Sequence, residues 1–217
     1  MELRDRRDAG RQLAVVLAER TLRSPVVLAL PRGGVPVAFE VAWTFQVPLE
    51  VFVARKVGAP GQPELGMGAI AEGGGAVMDR QAVQAAGVEA DELDHLVEVE
   101  RRELDRRVRH YRGDRPLPDL AGRDVVLVDD GLATGVTAEV ALRALRDRNP
   151  GSLVLAVPVG ASGAVDRLGQ IADAVICLAR PQPFHAVGQF YAHFDQTTDE
   201  EVLDLLARTR THAEAAP

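Results

Sequence analysis

The stretch Val125-Val-Leu-Val-Asp-Asp-Gly-Leu-Ala-Thr-Gly-Val-Thr137 constrains the fold more than any other part of the chain. An apolar run ends abruptly in two carboxylates, a loop of small residues follows, and Val136, Val140, Leu142 and Leu145 at once take up helical spacing. A buried strand that turns straight into a helix is the corner of an α/β sheet. The same corner implies a chemistry. The loop offers backbone N–H groups, and the helix N-terminus behind it adds partial positive charge, so the loop suits an anion. Asp129 and Asp130 cannot serve that anion; they suit hydroxyl groups or a divalent metal. A ligand with a phosphate at one end and a sugar diol nearby fits both halves. The plainer alternative is a strand–turn–helix corner with an acidic cap, but a cap needs one acid and no Thr-Gly-x-Thr loop.

The rest of the chain repeats the alternation. Residues 5–23 read as a first helix, Val26 to Leu30 as a strand, and Val35 to Phe45 as a helix with Pro36 in its first turn, where proline is tolerated. Leu49 to Ala54 is a second strand. Val57 to Gly66, with three Gly and two Pro, reads as a long mobile loop. Met67–Ala71 and Ala76–Met78 read as a hairpin around Gly73–Gly75. Residues 89–112 are dense in charge. Leu93, Leu96, Glu100, Leu104, Val108 and Tyr111 keep helical spacing there, with Glu98–Arg102 and Glu103–Arg107 as i,i+4 pairs. This is a solvated helix packing one stripe on the body; a homodimer contact or a lid over the site is its alternative use. Strands at Asp124–Val128, Leu153–Val159 and Ala174–Leu178 alternate with helices over 136–148 and 164–171. An amphipathic helix, Asp199–Leu206, closes the chain, and the tail after Arg208 is expected to fray. Strands alternating with helices imply a parallel sheet, whose ligands collect at the carboxyl ends of the strands. The loops there are 31–34, 55–66, 129–137 and 160–163.

Three of these segments carry further candidates. Pro31-Arg-Gly-Gly34 is a second anion loop: its glycines let a phosphate approach, and Arg32 adds a charge-assisted contact. Arg55 and Lys56 open the glycine-rich segment. Lys56 is the single lysine beside 24 arginines, which points to a site needing a compact ammonium that arginine would not replace. Glu72 is a candidate partner for Lys56 or for a metal-bound water. The segment 181–196 holds four of the nine aromatics, Phe184, Phe190, Tyr191 and Phe194, either as a stacking surface or as a satellite core on the sheet edge. His185 and His193 lack zinc spacing.

Asp129, Asp130, Ala133, Thr134, Gly135 and Thr137 fall on a pattern that resembles the phosphoribosyl-diphosphate (PRPP) motif of the type I phosphoribosyltransferases. The resemblance runs in order through Pro31–Gly34, Arg55–Gly66, Val125–Thr137 and the aromatic terminal segment. It implies a single phosphoribosyltransferase domain over 1–217. Its parallel-sheet, Rossmann-like core would carry helices on both faces, a flexible loop and helical insertion over 57–112, and a C-terminal hood over 180–198. Asp129 and Asp130 would hold the ribose hydroxyls, and Ala133, Thr134, Gly135, Val136 and Thr137 the 5-phosphate. Arg32, Gly33, Gly34 and Lys56 would bind pyrophosphate. Arg55, Lys56, Asp129 and Asp130 would carry the catalysis, and Phe190 or Tyr191 in the hood would stack on the acceptor. Magnesium would enter with PRPP, touching Asp129 and Asp130 indirectly through PRPP and water. The family's pyrophosphate loop often holds a non-proline cis peptide, placed here at Arg32–Gly33. In the family's 6-oxopurine branch the position of Ala133 is an aspartate that handles the purine proton, so an oxopurine acceptor is not expected. The partners implied are PRPP and a nucleobase-like or amine acceptor. A PRPP- or nucleotide-sensing protein without turnover is the competing reading.

Composition bounds these readings. The formal charge of −7 argues against a nucleic-acid surface. No apolar run approaches the ~20 residues of a bilayer span. The N-terminus lacks a signal-peptide core, and the lone Cys177, in an apolar strand, excludes an internal disulfide and reads as inert packing. These point to the cytoplasm and to no membrane partner.

Overall fold

The computed structural model describes residues 2–215. Its centre is a five-stranded parallel sheet made of β1 (Val26–Ala29), β2 (Leu49–Val51), β6 (Asp124–Val128), β7 (Ser152–Val159) and β8 (Ala174–Ala179), in the order β2-β1-β6-β7-β8. Alternation along the strands divides the core in two. Val27, Ala29, Val51, Val126, Val128, Val154 and Ala156 face one layer, built from α1 (Arg6–Ala18), α2 (Gly34–Phe45), α4 (Ala90–Arg112) and α7 (Asp199–Glu214). Val26, Leu28, Val125, Leu127, Leu153, Leu155 and Val157 face the other, built from α5 (Val136–Arg146) and α6 (Ser162–Leu168). A period of two with apolar residues on both faces is what a parallel sheet covered on both sides requires.

A second, antiparallel sheet stands at the edge: β3 (Ala54–Ala59), β4 (Gln62–Ala71) and β5 (Ala76–Met78), followed by α3 (Arg80–Ala85). Here the structure corrects the sequence reading. The second strand ends at Val51, and the expected loop over 57–66 is largely a hairpin. Val57 pairs with Gly68 and Lys56 with Ala69, with irregularities around Gly58. Gly61, at φ +71°, makes the turn between the two strands, and the close approach comes farther along β4. A Cβ on Gly68 would lie 2.3 Å from the carbonyl oxygen of Val77 in the neighbouring strand. The β4–β5 hairpin forms where it was expected.

Two further corrections concern the termini. α1 is shorter than 5–23. The charged helix expected over 89–112 forms as α4, and a separate short helix, α3, capped by Asp79, precedes it. α7 continues to Glu214 instead of fraying after Arg208, because Val202, Leu205, Leu206 and Thr209 pack inward. Residues 216 and 217 of the expected frayed tail lie outside the described residues. Cys177 is half-buried on the edge strand β8, its thiol near the carbonyl of Ala179 and raised by burial above its ordinary pKa. Among the described residues no helix is long and apolar enough to cross a membrane.

Candidate active site

β6 ends at Val128, and Asp129 and Asp130 follow at the carboxyl edge of the sheet, beside the end of β1. Asp129 Oδ1 accepts the backbone N–H of Asp130 at 2.9 Å. Burial raises both carboxyls above the usual range, Asp129 well above it, with the neighbouring charge of Asp130 adding to the effect. Arg6 and Lys56 act against this rise at Asp129, and Arg6 at Asp130.

The loop then turns over β7. Leu132 is held by Val159, and Ala161 by Leu132. Gly135 is left-handed, with φ of +73°, and sets the first turn of α5 behind the loop. Among the described residues, the N–H groups of Ala133, Thr134 and Gly135 donate to no protein acceptor. They stand with the unpaired N–H groups of the α5 N-terminus, the arrangement that binds a phosphate. Arg167 from α6 donates to the carbonyl of Thr134 and braces the loop from behind.

A cavity of about 180 Å³ is lined by Lys56, Asp129, Gly131 to Gly135, Thr137, Ala138 and Val187. It brings Lys56, exposed on β3, to the same space as the loop and the first acid. The Pro31–Gly34 loop lies against the two acids. A Cβ on Gly33 would sit 2.0 Å from Asp130 Oδ2, and one on Gly34 2.7 Å from the carbonyl of Val128, so only glycine lets this loop lie on the acids. The non-proline cis bond lies at Pro31–Arg32, one residue before the position expected.

Several candidates fall elsewhere. Arg55 turns to the opposite side of β3 from Lys56, as strand alternation demands, and pairs with Glu100 and Glu103 of α4. It positions the strand rather than reaching the cavity. Glu72 is not a partner of Lys56. It forms a two-point ion pair with Arg112 of α4 at 2.9 and 3.0 Å, both side chains 7% exposed. Arg32 lies 3.7 Å from Asp199 at the start of α7, a carboxylate that also accepts the hydroxyl of Tyr111. Tyr191 is buried and donates its hydroxyl to the carbonyl of Asp130 at 2.6 Å, so it props the site instead of offering a stacking face. Phe190 packs on Phe184.

Three residues escaped the sequence reading. Val187, from the 3₁₀ turn Val187–Phe190, covers Gly131. Arg167 was visible only as one helical arginine among many. Arg6, the first residue of α1, donates from Nε to Asp130 Oδ2 at 2.8 Å. Its one sequence signal was a cation at the positive end of a helix, where the macrodipole disfavours it.

A parallel sheet with two acids, a phosphate-type loop at its carboxyl edge and a basic hairpin beside it defines the class. Residues 7–192 match the family model described as the phosphoribosyl transferase domain, and the chain belongs to that family. Two Mycobacterium tuberculosis proteins, from strains CDC 1551 and H37Rv and provisionally named phosphoribosyl transferases, are each 49% identical over 212 residues. The match covers 97% of this chain and 48% of each of theirs. The chain thus spans about half the length of the curated relatives it matches. The crystal structure of TT1426 from Thermus thermophilus superposes with a TM-score of 0.81 at 46% identity, covering 96% of this chain and 99% of that one.

Proposed function

We propose that the chain transfers the 5-phosphoribosyl group of PRPP to a nucleobase-like or amine acceptor with release of pyrophosphate. The observation that carries this is the convergence on one small cavity of a loop with free N–H groups, a buried acid beside a second, and the single lysine. The N–H groups of Ala133 to Val136, with the hydroxyls of Thr134 and Thr137, receive the 5-phosphate. Asp129 and Asp130 accept the ribose hydroxyls. The backbone of Gly33 and Gly34 and the ammonium of Lys56 take the pyrophosphate. As the C1–oxygen bond breaks, positive charge gathers on the ribose ring and negative charge on the leaving group. Lys56 stabilises the latter, and the buried acids stand close to the former. The acceptor's nucleophilic atom attacks C1 from the opposite face, and its displaced proton leaves to solvent. The acids' oxygen-only donor set fits magnesium held mainly through PRPP and water, and the ion when bound supplies charge neutralisation on the pyrophosphate.

The test is a screen of pyrophosphate release from PRPP and Mg²⁺ across purines, pyrimidines and amines. Turnover with one acceptor, reduced about 10²-fold or more in Lys56→Ala, supports transfer. Tight PRPP binding with no turnover across the screen supports a PRPP-sensing role instead.

A further inference from the structure

Asp130 is tied to more of the molecule than a hydroxyl acceptor needs. Arg6 takes its Oδ2, with the two side chains only 12% and 15% exposed. The same guanidinium donates from Nη1 to the carbonyl of Asp195 at 2.6 Å and lies 3.8 Å from the centre of the Phe194 ring. The carbonyl of Asp130 accepts Tyr191. The N-terminal segment runs alongside: Leu3 donates to the carbonyl of Phe190, and Ala192 and His193 donate to those of Leu3 and Arg4. Two struts, Arg6 and Tyr191, therefore join one residue of the donor site to the C-terminal segment. Helix capping does not account for Arg6. The cap of α1 is Asp5, which accepts the N–H of Asp8, and a cation at that end opposes the helix dipole. A mostly buried guanidinium so placed is held by its partners.

Resting on the donor reading above, we infer that Arg6 is a positioning residue of the site: it fixes Asp130 so that Oδ1 faces the ribose, and it sets the hood segment 190–196 from that same contact. Oδ2 is engaged by Arg6 and hemmed in by Gly33, which leaves Oδ1 as the oxygen to present. The hood's position then follows from the donor site together with its backbone pairing to Leu3 and Arg4 and a small cluster of Leu3, Ala9, Val159 and Tyr191.

The experiment compares wild type, Arg6→Ala and Arg6→Lys by calorimetric titration with PRPP·Mg²⁺ and by amide hydrogen exchange with and without it. Losing a charge-assisted contact to Asp130 is expected to weaken PRPP about tenfold or more in Arg6→Ala, with most of the affinity restored in Arg6→Lys. Without ligand, exchange over 186–196 is expected to quicken in Arg6→Ala and not in Arg6→Lys, while the packed side of α1 (Ala9, Leu13, Leu17) keeps its protection. Equal PRPP affinity in wild type and Arg6→Ala, or unchanged exchange over 186–196, overturns the inference. A wild type that does not bind PRPP refutes the donor reading, and the ligand-free exchange still decides whether Arg6 holds the hood. If Arg6→Ala does not fold, Arg6→Lys against Arg6→Gln makes the same comparison.

Discussion

At the scale of single residues, the site carries a cost. Asp129 is raised well above 3.8 by burial first and by Asp130 second. Below the unfolded carboxylate range the side chain is protonated in both states and costs nothing. As pH rises through its raised folded value, ionisation opposes folding, and stability is lost. Asp129→Asn is therefore expected to melt higher than wild type at neutral pH, with the gap closing as pH falls toward 3.8. Each kcal/mol is worth about 2–4 °C for a domain of this size. Thermal melts across pH check this, and a gap that widened in acid would contradict it. The two acids and the loop after them were legible in the sequence because they are neighbours in it. Arg6 was not. Its partner is 124 residues away, and nothing local to Arg6 names Asp130.

At the scale of elements, the antiparallel sheet and α4 form one device. Arg55 ties β3 to Glu100, and Arg112 ties the last turn of α4 to Glu72 just beyond β4 and to the carbonyl of Val51. Glu72 is itself raised by burial against the opposing pull of Arg112. Removing Arg112 leaves that carboxylate buried and unpaired, so Arg112→Ala is expected to cost about 3–5 kcal/mol in denaturant unfolding. Glu72→Gln, which keeps a hydrogen-bonding partner for Arg112, should cost less. Equal losses would mean that the pairing is not what holds α4. The helix was readable from its spacing and from Glu98–Arg102 and Glu103–Arg107, both of which form. The hairpin before it was not. Gly and Pro there read locally as a loop, whereas Gly61 only makes the turn and the pairing of β3 with β4 across it is what forms the hairpin. The opposite facing of Arg55 and Lys56 follows only once that segment is known to be a strand.

At the scale of the whole molecule, the order β2-β1-β6-β7-β8 places the loops after β1, β6 and β7 on one edge. The anion loop, the acids and the bracing helix α6 meet there, with the basic hairpin beside them. The alternation of strands and helices made this arrangement legible. What it left out is how the two ends of the chain cross that edge. Leu3 pairs with Tyr191, and the N-terminal segment and the C-terminal segment 190–196 reach the acids together. The proposed transfer requires that this edge hold PRPP. Calorimetric titration with PRPP and Mg²⁺ tests it directly. The wild type should show one saturable site, and the double variant Asp129→Asn, Asp130→Asn should lose it while remaining folded. A wild type that takes up no PRPP, or a double variant that binds it equally well, would contradict the account.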